Sequence, residues 1–332
     1  MKLINIRDEE RNNKYFKKIE IFGLNIRIRD KRKEEIAKFI NSKMDGYISY
    51  IKYETYGEDI KIPKVKSKEE LINLLINSNQ SIARYGDGEF SLIKGSDIAF
   101  QKQNNELQQR LRDILTSKNK NLEVCVPNVF NSLKTFTVKE QYFWRWYMSQ
   151  HREDLYQYLD FDKIYYDSFI SRPYLNLKDK SHVSSYFQNL KQIWKDKDIV
   201  FVEGIGSRLG LGNDLFDTAR SIRRILCPNV CAFSKYDEIL RECKKLSKDI
   251  LFILALGPTA TILADDLSRE GWRALDMGHI DIEYEWFLAK ADTKIDIKNK
   301  NVNESKGKKD NKDKKNKIND ELYQAQVLCE IK

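Results

Sequence analysis

The chain is short of the residues that mark several protein classes. Its five cysteines (Cys125, Cys227, Cys231, Cys243 and Cys329) are odd in number, and Cys227 and Cys231 have no second pair to complete a zinc-type site. That excludes a disulfide framework and a zinc ribbon, and reduced thiols in a cytoplasmic setting are expected. Only three histidines are present. No run approaches the roughly 20 apolar residues that span a bilayer. The opening Met1–Arg7 lacks the apolar core and small-residue cleavage site of a secretory leader, so none is expected.

What is present is a chain of 332 residues, 41% hydrophobic, long enough for one large or two ordinary domains with a sizeable core. Its net charge is +9, unevenly spread. Asn301 to Lys317 carries seven lysines against Glu304, Asp310 and Asp313 with almost no apolar residue, and is expected to be disordered. Such a tract solvates a loop or touches an anionic membrane surface; specific nucleic-acid recognition is not expected.

The front of the chain, residues 1–65, is charged and only patchily apolar, with a hairpin expected around Gly23 and a helix over 29–50. Ser67-Lys68-Glu69-Glu70 is a capping box ahead of Leu71, Leu74 and Leu75. A strand over 81–85, a helix over 105–116 and a buried strand over 122–126 follow. Tyr142-Phe143-Trp144-Arg145-Trp146-Tyr147 reads as a helical aromatic stripe, core in the first instance and an acceptor pocket in the second, because aromatic faces stack on sugars.

From residue 198 the pattern alternates. Strands are expected over 198–203, 222–227, 250–256 and 274–277, and helices over 213–220, 236–246 and 261–269. This alternation is that of an α/β fold, a Rossmann-like, mostly parallel sheet flanked by helices. The boundaries read as 1–65, a front extension; 66–295, the main domain; 296–318, a lysine-rich insertion; and 319–332, a segment packing back on the domain.

The chemistry sits at strand ends. Asp87 and Glu89, two residues apart on a glycine turn after the 81–85 strand, are hard oxygen donors able to converge on one divalent cation. Three further turns, 204–212, Gly257-Pro258-Thr259 and Gly278-His279-Ile280-Asp281, open helices or loops with glycine or hydroxyl residues, as anion sites do. Arg208 adds a forked donor suited to phosphate. A diphosphate ligand is the common denominator. The rival, a dinucleotide-binding enzyme, fails twice: Gly204-x-Gly206 is followed by Leu209 where a small residue is needed, and the 222–227 strand ends without an acid. His279, beside Asp281, Glu283 and Glu285, is read either as a structural histidine or as a metal ligand.

Taken in order, Arg84-Tyr85-Gly86-Asp87-Gly88-Glu89, Ser207 to Phe216, Ala232 to Tyr236, Gly257 to Thr261 and Gly278 to Trp286 resemble the bacterial GT-D glycosyltransferases, known from the glycosylation of serine-rich repeat adhesins. The resemblance runs from about Leu71 to Lys290. It implies transfer of a hexose from a UDP-sugar to a glycan or glycoprotein acceptor with Mn²⁺ or Mg²⁺. Asp87, Glu89 and His279 would be the metal set. Arg84, Gly86, Ser207, Arg208, Lys235, Gly257 and Thr259 would contact the donor. Asp281, Glu283 or Glu285 would take the acceptor proton. Other glycosyltransferases are the implied partners, at the cytoplasmic face of the membrane. Two readings from other classes share these residues: a non-catalytic glycan- or anion-binding scaffold, and a nucleotide-sugar phosphohydrolase.

Overall fold

The computed structural model describes residues 4–12, 14–21, 24–56, 61–297, 300 and 320–332. Gly23 and the expected disorder of Asn301 to Lys317 lie outside the described residues. The chain divides into two compact units, one of residues up to 60 together with 142–152, the other of 61–141 and 153–332.

In the first unit, β1 (Ile4–Arg11), β2 (Lys14–Ile21) and β3 (Leu24–Arg29) form an antiparallel meander. The register sets Ile6 opposite Ile19 and Ile19 opposite Ile26, so apolar side chains share one face. α1 (Lys31–Glu54) follows, capped by the Asp30 carboxylate on the Lys33 amide. Its first turn is tied to β3 by Arg29, which donates to both Glu34 oxygens at 2.7 and 2.8 Å.

The second unit is built on a sheet. Its elements are β4 (Lys64–Lys66), α2 (Lys68–Asn77), β5 (Ser81–Arg84), α3 (Asp87–Ile93), α4 (Asn105–Leu115), β6 (Leu122–Val126), the ends of α5 (Val138–Tyr156), β7 (Ile164–Asp167), α6 (Val183–Lys191) and β8 (Asp198–Gly204). Then come β9 (Ser221–Cys227), α7 (Tyr236–Lys244), β10 (Leu251–Ala255), α8 (Pro258–Arg269), β11 (Arg273–Asp276), α9 (Ile280–Leu288), α10 (Asp320–Gln326) and β12 (Val327–Glu330). Among the described residues the sheet has nine strands, all parallel, in the order β12-β9-β8-β10-β11-β5-β6-β7-β4.

The sequence explains this core. β8 and β10 are covered on both faces, so they read as unbroken apolar runs, and Ile199 to Val202 and Leu251 to Leu254 are buried. The Ser67–Glu70 capping box is reciprocal, as read from the sequence. α8 opens on Pro258 at its first turn, where a missing amide costs nothing, and packs over β5, β11, β10 and β6. No helix among the described residues is long and apolar enough to cross a membrane.

One expected element is absent. Residues 213–220 form turns, not a helix. Gly210 and Gly212 adopt φ of +70° and +83°, and the Asn213 amide is drawn to the Asp281 and Glu285 carboxylates at 2.8 and 2.7 Å. These tertiary bonds override the local helical pattern.

Candidate functional site at the carboxyl edge of the sheet

β8 runs on to β9 on one side and β10 runs on to β11 on the other, so the chain reverses direction between β8 and β10. Open α/β sheets bind ligands at such a point, beyond the carboxyl ends of the strands. A small half-enclosed pocket of about 50 Å³ lies there, lined by Phe100, Gly204, Ser207, Asn229, Ala255 and Gly257 among others. Gly257 has φ +55°, and a Cβ on it would stand 2.7 Å from the Phe100 ring, so the position needs glycine. Thr259, on the first turn of α8, is buried, and its Oγ1 has no hydrogen-bond partner among the described residues.

The 204–212 turn is braced from below. Buried Glu203 accepts from the Leu209 amide at 2.8 Å and pairs with buried Arg224. Arg224 also donates to the Leu209 carbonyl at 2.8 Å. The Tyr323 ring, from α10, lies 5.2 Å from the Arg208 guanidinium and 4.8 Å from that of Arg224. Arg208 itself has φ +54°. The 320–332 segment thus packs its aromatic ring against Arg208 of the turn. Lys235 is half-buried and faces Glu238 at 3.9 Å.

Further along the edge, Arg84 and Gly86 serve the ends of β5 and α3. Arg84 donates from Nε to the Asp276 carbonyl at 2.6 Å, from one terminal nitrogen to Asp276 Oδ1 at 2.8 Å, and from the other to Ser171 Oγ at 2.6 Å. The Gly86 amide donates to Glu89 Oε2 at 2.8 Å, closing a cap on α3. Asp87 is exposed on the first turn and Glu89 half-buried on the same turn. Burial, reinforced by the Asp276 carboxylate, raises the Glu89 pKa to about 7.

His279 caps α9, and its Nε2 lies 2.9 Å from an Arg172 terminal nitrogen. A guanidinium only donates, so in this contact Nε2 is the acceptor. Among the described residues no group of three or more His, Cys, Asp or Glu side chains is arranged to hold a metal ion. Asp87 and Glu89 are nonetheless hard oxygen donors at the helix start. Such a pair suits Mg²⁺ or Mn²⁺ shared with substrate phosphates, which needs one or two protein carboxylates and not a full cage.

The three late carboxylates do not converge, because they lie on α9 and not along an extended strand end. Asp281 and Glu285, one turn apart, share Asn213 and the buried Lys300 ammonium, which stands 2.7 Å from Asp281 and 2.6 Å from Glu285. Glu283 points elsewhere. Its Oε2 accepts from the Tyr174 and Leu175 amides at 2.9 and 3.1 Å, its Oε1 has no hydrogen-bond partner among the described residues, and burial raises its pKa.

Sequence reading missed Asp167, Arg172 and Lys300. Asp167 ends β7, is buried, accepts from the Phe169 amide at 2.9 Å, and has its pKa raised to about 6 by that burial. The run Ile164-Tyr165-Tyr166 before it is the β-type signal that would have placed it at a strand end.

Comparison with known proteins agrees with this architecture. Residues 82–305 match the family model described as the glycosyltransferase GT-D fold. A probable glycosyl transferase, Gly, of Streptococcus gordonii is 40% identical over 270 residues, 80% of this chain and 39% of its own length. Glycosyltransferase GlyD of Streptococcus pneumoniae is 39% identical over 273 residues, 82% of this chain and 33% of its own length. The match therefore spans well under half of either curated relative. A solved glycosyltransferase structure from Streptococcus sanguinis superposes with a TM-score of 0.76 at 38% identity, covering 82% of this chain and all of that one. A second, described as a highly conserved domain of unknown function with a distinct glycosyltransferase fold, gives 0.73 at 36% identity over 86% of this chain and 98% of its own. With two thirds of its length matched by the family model and the all-parallel sheet in place, the chain belongs to the GT-D glycosyltransferase family.

Proposed function

We propose that the chain transfers a hexose from a UDP-sugar to a hydroxyl of a glycan or glycoprotein acceptor. The observation that supports this reading is the set of glycine turns at the β8/β10 reversal, where Gly204, Ser207 and Gly257 line a small pocket and the amino end of α8 lies beside it. A helix start with glycine at its entry favours a diphosphate, because its amides and dipole carry partial positive charge. The Thr259 hydroxyl is a further donor that the protein leaves without a partner among the described residues. Ser207 and Arg208 belong to the braced turn facing the same reversal.

Asp87 and Glu89 would hold Mn²⁺ or Mg²⁺ together with the donor phosphates. Such a cation supplies Lewis-acid relief of the charge that builds on the departing diphosphate. Glu89 gives a specific reason: its anionic form is disfavoured by burial and by Asp276, and a cation would relieve both. Arg208 and the turn amides would add preorganised positive charge to the diphosphate. An acceptor hydroxyl needs a carboxylate to take its proton in a direct displacement. Asp281 and Glu285 are both held by the Lys300 ammonium, so either would act only if that ammonium moved away.

The test is UDP release from a panel of UDP-sugars, with and without Mn²⁺, for the wild type, Asp87→Ala and Glu89→Ala. Metal-dependent release from one donor, lost in both variants, is expected. No release from any donor, with no thermal shift by UDP plus Mn²⁺, would overturn the reading.

A further inference from the structure

We propose that the first unit carries a separate carbohydrate-binding groove for an oligosaccharide chain. The proposal rests on the reading of the protein as a transferase acting on glycans. α1 and the 142–146 stretch of α5 border an open groove of about 570 Å³, comparable in volume to small-ligand pockets. Its apolar wall is aromatic. Tyr142 and Trp146 are one helical turn apart, so they face the same side. They are 57% and 49% exposed, although aromatics of this size normally bury their faces.

The opposite wall is polar. Asn41, Ser42 and Asp45, from α1, offer both donors and acceptors. Arg145 also lines the groove, held over the Tyr50 ring at 4.8 Å and near Glu54 at 3.5 Å, and its Nε has no hydrogen-bond partner among the described residues. Gly46, in the interior of α1, borders the groove, and a Cβ there would reach ordinary contact distance, 3.6 Å from Tyr142 Cε1. A pyranose matches this division. One ring face presents C–H bonds to an aromatic plane, and its rim of hydroxyls needs amide, carboxylate and hydroxyl partners. A purely apolar partner would leave Asp45 and Asn41 buried without hydrogen bonds, which is unfavourable.

The experiment titrates the full chain with tetrasaccharides of glucose, galactose and N-acetylglucosamine, reading tryptophan fluorescence and calorimetry. UDP release from the donor panel and the oligomeric state by light scattering are measured in parallel. Saturable binding of at least one tetrasaccharide is expected. Trp146→Ala and Asp45→Ala should each weaken it at least tenfold, and Trp146→Phe should restore part of the affinity. Gly46→Leu, which fills the groove, should abolish it. Donor release and the melting temperature should be unchanged in Trp146→Ala.

Absence of binding at millimolar sugar, or equal binding by wild type and Trp146→Ala, would overturn the groove while leaving the transferase reading to its own assay. A dimer that Trp146→Ala converts to monomer, without sugar binding, would also overturn it and assign the face to a second copy of the chain.

Discussion

Arg84, at the end of β5, clasps Asp276, at the end of the neighbouring strand β11, through both its backbone carbonyl and its carboxylate at 2.6 and 2.8 Å. The two strands share only a short ladder, with Leu275 paired to Ile82. The clasp therefore closes the seam between the two halves of the sheet, just where the candidate metal carboxylates and His279 emerge. Asp276 is nearly fully buried, so removing its partner leaves a charge without compensation. Arg84→Ala is expected to cost about 3–5 kcal/mol, and Arg84→Lys to rescue little, because an ammonium cannot reproduce the fork. Urea denaturation of Arg84→Ala, Asp276→Asn and the double variant checks this. A double variant no less stable than either single one is expected. Near wild-type stability of Arg84→Ala with a loss of UDP affinity would instead make Arg84 a donor contact.

Glu89 makes a prediction in pH. Its folded-state pKa is raised to about 7 from an ordinary 4.5, so the folded protein binds the proton more tightly than the unfolded chain. The group's contribution is fully present below pH 4.5 and is lost as pH rises towards 7. Each pH interval of one between those two values is worth about 1.36 kcal/mol, so the loss is at most about 3.4 kcal/mol. Glu89→Gln keeps an acceptor for the Gly86 amide but cannot ionise. Between pH 4.5 and 7 its stability is expected to fall less than that of the wild type. Mn²⁺ should raise the melting temperature of the wild type at pH 7 and leave Glu89→Gln unmoved. Identical pH profiles would show that Glu89 titrates as an ordinary carboxylate.

How far the sequence led depends on where each signal comes from. β10 was legible because a strand buried on both faces shows as Leu251-Phe252-Ile253-Leu254. α2 was legible because its cap is local, in Ser67 and Glu70. β4 was not: a three-residue edge strand with exposed Lys64 and Lys66 has no apolar pattern to read. The helix expected over 213–220 fails because Asn213 is held by α9, some 70 residues on, which no local window contains. The same limit hid the pairing of Asp281 and Glu285 with Lys300. The acids were found by type and proximity, but their convergence depends on helical spacing and on a lysine from beyond the helix. The need for glycine at 257 was legible as a turn, and its own backbone angle and Phe100 demand that residue.

Lys300 carries a prediction of its own. Its ammonium is buried between two carboxylates, with Asn213 and the Gly210 amide completing the Asp281 partners. Lys300→Met would leave two acids facing each other without a counter-charge. A loss of about 3–5 kcal/mol is expected, and most of it should return when Asp281→Asn and Glu285→Gln are added, because the buried repulsion is then gone. Chemical denaturation of the single and triple variants measures both. A single variant within about 1 kcal/mol of wild type would show that the ammonium is not needed to hold α9 against the 204–212 turn.

Thr259, next to the pocket on α8, separates a structural from a binding role sharply. Its hydroxyl is buried with no hydrogen-bond partner among the described residues, on the first turn of α8. A buried hydroxyl left unsatisfied costs roughly 1–3 kcal/mol, so Thr259→Val, nearly the same shape without the hydroxyl, is expected to fold as stably as the wild type or more so. If the hydroxyl is instead kept for a phosphate oxygen, the benefit appears only with ligand. A charge-assisted bond is worth about 1.5–3 kcal/mol, or about ten- to hundredfold in affinity. Calorimetric titration of UDP with Mn²⁺ into both proteins reads this directly. An unchanged or higher melting temperature together with a tenfold weaker Kd is the expected pair of results. Equal affinities would move the diphosphate away from α8 and leave the Ser207–Arg208 turn as the remaining anion site at the reversal.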